Sequence, residues 1–117
     1  MTQKILIVDD DPNIVTYLED IFQDAGYATC KATDGADALS MVRQEKPALI
    51  TLDLEMPKEW GPRFYRELTQ DNEHKNIPVI VISGLAGNKY AIPKAVASFT
   101  KPFDREELLK VVKEVLG

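Results

Sequence analysis

The sequence predicts an α/β domain, a parallel sheet covered by helices on both faces, and three observations carry that prediction. Short apolar, β-branched runs recur at residues 4–8, 28–32, 48–52, 79–82 and 98–100. The first after Lys4, the third and the fourth are apolar or β-branched throughout, which suits strands buried on both faces rather than on one. Between the runs lie segments whose apolar residues repeat at helical spacing, joined by short connections. Strands and helices that alternate in this way pair in parallel, with the helices packed over the sheet.

Each element has its own signal. Lys-Ile-Leu-Ile-Val at 4–8 is the first strand and ends at Asp9-Asp10. Asp11-Pro12 reads as an N-cap followed by proline at the first helical position. Ile14, Val15, Leu18, Ile21 and Phe22 then form one helical face, and Gly26 ends that helix. Residues 28–32 make a weaker second strand. Thr33-Asp34-Gly35 opens a second helix, with Ala38, Leu39 and Val42 facing inward and Met41 at the margin, and it stops before Pro47. The third strand runs into Asp53. A loop marked by Pro57 and Gly61 leads to a third helix facing inward through Phe64, Tyr65 and Leu68. Pro78 introduces the fourth strand, which ends at Ser83-Gly84. A short helix is expected near residues 90–96, weakened by Gly84, Gly87 and Pro93, because proline inside a helix costs about 3 kcal/mol or more. The brief fifth strand ends at Lys101-Pro102. Asp104 caps the last helix with Glu107 three residues on, and Leu108, Val112 and Val115 line its buried face, with Leu109 and Leu116 beside them.

Composition narrows the function. A chain of 117 residues without repeat or linker is expected to form one domain, residues 1–117. The net charge of −5 argues against direct nucleic-acid binding, where phosphate contacts dominate affinity. No apolar run is long enough for a membrane helix and no secretion leader is visible. The single cysteine, Cys30, excludes an internal disulfide and suits buried packing, so a cytoplasmic home is the expectation. His74 lies in the polar stretch 70–76 and is expected to be a solvated loop histidine.

The chemistry lies in where the polar residues fall. Asp9 and Asp10 follow the first strand, Asp53 the third, Ser83 the fourth and Lys101 the fifth. All five sit at carboxyl ends, where open parallel sheets bind their ligands. A lone aspartate there could simply accept loop amide hydrogens; the convergence of five such residues argues for a site. Two carboxylates roughly 4 Å apart repel by about 4 kcal/mol at an effective dielectric near 20. A hard divalent cation relieves that repulsion, and oxygen ligands suit Mg²⁺. A bound cation would attract phosphate, with Lys101 and the Ser83 hydroxyl available to its oxygens. Asp53 remains as a nucleophile able to form an acyl-phosphate.

These motifs resemble the CheY-like receiver domains of two-component response regulators, over essentially the whole chain. The marks are Ile-Val-Asp9-Asp10-Asp11-Pro12, Asp53-Leu-Glu-Met-Pro57 with Gly61, Ile82-Ser83-Gly84 and Lys101-Pro102-Phe103, in that order and spacing. The resemblance implies a doubly wound, flavodoxin-like five-stranded sheet of order 2-1-3-4-5 with five helices, the fourth short or irregular here. It implies that Asp53 is the phosphoacceptor, charged by a histidine kinase or phosphotransfer protein. Asp10 would bind Mg²⁺ directly, Asp9 largely through water, and the Glu55 main-chain carbonyl would join Asp53 in completing the protein ligands. Ser83 would be the switch hydroxyl and Lys101 the phosphate-binding lysine, aimed by a cis Lys101–Pro102 peptide. Glu55 would sit at the pocket rim and tune the lifetime of the phosphoryl group. Such a domain is a signalling switch that catalyses only its own phosphorylation and dephosphorylation, and presents a protein-interaction surface to a downstream target.

Other readings fit less well. An aspartyl-nucleophile phosphatase would carry its paired acids after the first strand and needs a cap domain. A flavodoxin needs hydroxyls and glycine where Asp9, Asp10 and Asp11 stand. A degenerate receiver that serves only for docking would have lost an acidic residue, the acceptor or the lysine, and all are present. The chain departs from the family at Ser98, three residues before Lys101, where an aromatic often couples to the switch hydroxyl. Phe99 should point to the opposite face, so aromatic gating is expected to be absent and signalling to run through the segment after Ser83. No effector domain follows the last helix in this sequence, so the expectation is a stand-alone receiver or a domain of a longer regulator or hybrid kinase.

Overall fold

The five apolar runs become five strands in the computed structural model, which describes residues 3–56, 60–84 and 95–117. They are β1 (Lys4–Val8), β2 (Ala28–Ala32), β3 (Leu49–Leu52), β4 (Val79–Ser83) and β5 (Ala97–Thr100). Every pairing is parallel and the order is β2-β1-β3-β4-β5, the doubly wound order expected. The three inner strands are buried almost throughout, whereas β2 and β5, the least apolar runs, take the edges.

Four helices lie among the described residues: α1 (Pro12–Asp24), α2 (Gly35–Glu45), α3 (Trp60–Thr69) and α4 (Arg105–Leu116). The short helix expected near 90–96 falls mostly within residues 85–94, outside the described residues, as do Pro57, Gly87 and Pro93. Three aspartates start helices as expected. Asp11 accepts a hydrogen bond from Asn13 N at 2.9 Å, Asp34 from Asp37 N at 2.8 Å and Asp104 from Glu106 N at 2.8 Å. Each satisfies an amide that the first turn leaves unpaired, worth about 0.5–2 kcal/mol. Gly26 closes α1 with φ +95°, the left-handed region that glycine enters without strain. None of these helices is long and apolar enough to cross a membrane.

Strand alternation splits the core into two layers. Leu6, Val8, Ile50, Leu52, Val79 and Val81 pack with Ala38 and Val42 of α2 and Phe64 and Leu68 of α3. Ile5, Ile7, Leu49, Ile80 and Ile82 pack on the other face with Val15, Leu18, Ile21 and Phe22 of α1 and Leu108 and Val112 of α4. A period of two in the strands and 3.6 in the helices produces this division without further instruction. Each large aliphatic side chain so buried contributes roughly 1.5–3 kcal/mol. Val115, Leu109 and Leu116 of α4 are half-buried against the second layer. In β5, Phe99 joins that layer while Ser98 is exposed, so the two residues face opposite ways as expected.

His74 overturns its expectation. It is 6% exposed rather than solvated, because the turn between α3 and β4 bonds its ring to Asp71 and sets it in the wall of a cleft shared with Pro47 and Ile77. Thr51 is a second surprise. It lies on β3 between Ile7 and Ile80 in register, and its hydroxyl has no hydrogen-bond partner among the described residues. A buried polar group left unpaired costs about 1–3 kcal/mol. Thr51→Val keeps the β-branched shape and removes that oxygen, so it is expected to stabilise the fold by about 1 kcal/mol. The check is a higher urea midpoint at unchanged m-value; a lower midpoint would show that the hydroxyl is satisfied.

Candidate functional site

Strand register brings the predicted polar residues together. Val8 of β1 lies opposite Leu52 of β3, and each strand ends one residue later in an aspartate. The ladder continues past both: Asp53 N donates to Val8 O at 3.0 Å, and Asp9 N to Ala32 O at 3.2 Å. Asp9 and Asp53 are therefore neighbours, 2% and 3% exposed. Leu52 pairs with Val81, so Ser83 reaches past the end of β3 and its hydroxyl donates to Asp53 Oδ1 at 3.0 Å. Ser83 pairs with Thr100, and Lys101 N donates to Ser83 O at 2.8 Å. From there the Lys101 ammonium reaches back to Asp9 Oδ2 at 2.8 Å and stands 3.5 Å from Asp53 Oδ2. The Lys101–Pro102 peptide is cis, as expected. Asp10 is exposed, yet it offers a carboxylate oxygen within 4.8 Å of oxygens of Asp9 and Asp53.

Burial and charge oppose each other inside this cluster. Burial pushes the Asp9 carboxyl above the ordinary carboxylate range, and the hydrogen bonds from Lys101 and the Asp11 amide offset this only in part. Burial alone would lower the Lys101 ammonium. Its hydrogen bond to Asp9 and the charges of Asp9 and Asp53 outweigh that, and hold it above the ordinary lysine value. Asp53 Oδ1 takes two donors, the Ser83 hydroxyl and the Glu55 amide, each at 3.0 Å, so the carboxylate is fixed in orientation with its second oxygen toward Lys101. The three carboxylates offer only hard oxygens, a donor set that fits Mg²⁺ rather than a softer metal.

Two features carry more of the site than the sequence suggested. Glycine at 61 marked only a turn, but a Cβ there would stand 2.5 Å from Asp53 O and 2.6 Å from Leu54 Cα. The start of α3 is thereby pressed against the backbone of the loop after β3. Glu55, expected at the rim, lays its carboxylate against Gly84: a Cβ at 84 would meet its oxygens at 2.7 and 2.8 Å. Gly84 follows Ser83 directly, so Glu55 spans the gap between the ends of β3 and β4. Gly61→Ala meets backbone rather than a yielding side chain. It is expected to cost about 1–3 kcal/mol and to shift the amide signals of Asp53 and Leu54 in a ¹⁵N correlation spectrum. Unmoved amides would show that the loop and α3 are not in this contact.

Known proteins resemble the chain in sequence and in shape. Residues 5–113 match the family model described as the response regulator receiver domain. The chain is 40% identical over 117 residues to Protein Rrf1 of Nitratidesulfovibrio vulgaris, covering all of this chain and 85% of that one. It is 36% identical to the sporulation initiation phosphotransferase F of Bacillus subtilis, over 99% of this chain and 95% of that one. Among solved structures, the receiver domain of a sensor histidine kinase from Pseudomonas aeruginosa PAO1, described with a magnesium ion coordinated in its active-site cleft, superposes with a TM-score of 0.89 at 25% identity, covering 100% and 99% of the two chains. By the family model, the strand order and these relatives together, the chain belongs to the response regulator receiver domain family of two-component signalling.

Proposed function

We propose that Asp53 accepts a phosphoryl group from a phosphohistidine of a histidine kinase or phosphotransfer protein. One observation carries the reading: a nearly buried carboxylate whose orientation is fixed by Ser83 and Glu55 lies beside the one ammonium shared with Asp9. In the transfer, an Asp53 carboxylate oxygen forms a bond to phosphorus as the phosphorus–nitrogen bond of the donor breaks, and the imidazole keeps that electron pair. Phosphoryl transfer of this kind asks the protein mainly for positioning and for charge stabilisation. The Ser83 hydroxyl, the Glu55 amide and the Lys101 ammonium are donors already grouped around the acceptor. They would turn to the phosphoryl oxygens once the carboxylate is esterified. The relative named as a phosphotransferase supports phosphotransfer as the class of chemistry.

Asp10, Asp9 and Asp53, with the Glu55 main-chain carbonyl, would hold the metal. When bound, Mg²⁺ supplies charge neutralisation for the acceptor and the incoming phosphoryl group. Burial raises the Asp9 carboxyl, and a cation beside it would favour its charged form. The domain works as a switch: Ser83 trades Asp53 for the phosphoryl group, and the segment after Ser83 passes the change to a protein-interaction surface. With Ser98 exposed at the edge strand, aromatic gating has no side chain to run through at that position. Beyond its own phosphorylation and dephosphorylation it turns over no substrate.

Incubation with a small phosphodonor and Mg²⁺ is expected to add one phosphate to the wild-type chain and none to Asp53→Asn, read by intact mass. Equal labelling of the variant would move the acceptor elsewhere. Glu55→Asn is expected to change the dephosphorylation rate several-fold, because the carboxylate borders the gap between Asp53 and Ser83. Gly84→Ala, which displaces that carboxylate without altering its charge, should move the rate as well. Rates unchanged in both variants would leave Glu55 without a tuning role.

A further inference from the structure

A second set of ligand-type side chains lies at the opposite edge of the sheet, in the turn between α3 and β4. His74 is the single histidine of the chain and is 6% exposed. Its Nδ1 stands 2.9 Å from Asp71 Oδ2. Its Nε2 makes no hydrogen bond among the described residues, and Glu73 Oε2 is 3.8 Å away. His74 and Glu73 border a cleft of about 240 Å³ together with Lys46, Pro47 and Ile77. A carboxylate only accepts, so the Asp71 bond places the ring proton on Nδ1 and the lone pair of the neutral ring on Nε2. A nine-tenths buried imidazole with one ring nitrogen unpartnered among the described residues thus borders a cleft that also holds a carboxylate.

We propose that His74 Nε2 and the Glu73 carboxylate form a second cation site for a zinc-class divalent ion, completed by water, with Asp71 orienting the ring from behind. A carboxylate that receives the far N–H of a histidine is the usual support of a metal-binding imidazole and raises its basicity. Two ligands about 2.0–2.1 Å from a tetrahedral ion stand about 3.3 Å apart, so the observed gap closes with a small turn of one side chain. Glu73 can make that turn, because its side chain is 83% exposed. Asp71, Glu73 and His74 all offer ligand atoms within 4.8 Å of one another, so the carboxylates supply the negative charge that the ion needs. Mixed nitrogen and oxygen donors suit zinc and its neighbours, unlike the all-oxygen cluster around Asp53. Lys46 is the opposing influence: it lines the same cleft, and its positive charge weakens cation binding. The site is independent of phosphorylation.

Because the chain has one histidine, ring ¹⁵N signals of tag-free protein report this site alone. Zinc titrated in excess Mg²⁺ is expected to shift the Nε2 signal and saturate at one equivalent while Nδ1 stays protonated. Glu73→Gln, an exposed change that leaves the fold intact, should weaken binding about tenfold, and Asp71→Asn about 10–100-fold. Lys46→Gln should tighten it several-fold, which a purely structural cluster would not do. Ring signals that stay still, or zinc affinity unaltered by Glu73→Gln, would overturn the proposal.

Discussion

One ammonium shared by two buried carboxylates holds the carboxyl edge of the sheet together. Asp9 and Asp53 are brought side by side by the register of β1 and β3, and like charges at about 4 Å repel by roughly 4 kcal/mol near a dielectric of 20. Lys101 answers both, at 2.8 and 3.5 Å, from a strand end 92 residues away from Asp9 along the chain. Taking that cation away would strand two charges in a dry site, the kind of loss that costs about 3–5 kcal/mol. Here the Asp9 carboxyl remains raised by burial despite its partner.

The sheet behind that edge is rigid for a simple reason. Strands β1, β3 and β4 are covered on both faces, and neither layer of side chains has an alternative place to go. A one-residue slip of any inner strand would exchange its two layers. It would also move Asp9, Asp53 or Ser83 off the edge, so the hydrophobic pattern that stabilises the fold is what aligns the site. The unpaired Thr51 hydroxyl, two residues before Asp53, is the one breach of that pattern among the described residues, and nothing in the structure explains its retention.

Around Asp53, close backbone approach replaces side-chain bulk. Gly61 lets α3 begin against the Asp53 carbonyl, and Gly84 leaves room for the Glu55 carboxylate beside Ser83. Gly84 lets the Glu55 side chain reach from the end of β3 to the end of β4. Glu55 contributes twice, through an amide that fixes Asp53 and a carboxylate that borders Ser83. The amide bond to Asp53 belongs to the backbone, so it does not depend on the Glu55 side chain.

The sequence by itself determined the strands, the helix starts, the two apolar layers and the convergence of Asp9, Asp10, Asp53, Ser83 and Lys101 on one edge. These follow from periodicity, from capping aspartates such as Asp11 and Asp104, and from the rule that parallel strands end on the same side. All of that information is local or carried by topology. The tertiary structure alone decided which oxygen meets which donor: Ser83 and Glu55 on Asp53 Oδ1, Lys101 nearer Asp9 than Asp53. It decided the roles of Gly61 and Gly84, because what a missing Cβ leaves room for depends on another segment of backbone or side chain. His74 is the plainest case. A polar stretch reads as solvated, yet the residue is 6% exposed, bonded to Asp71 and beside Pro47 from a distant part of the chain. Burial depends on what the rest of the chain places overhead, and no window of sequence around residue 74 contains that.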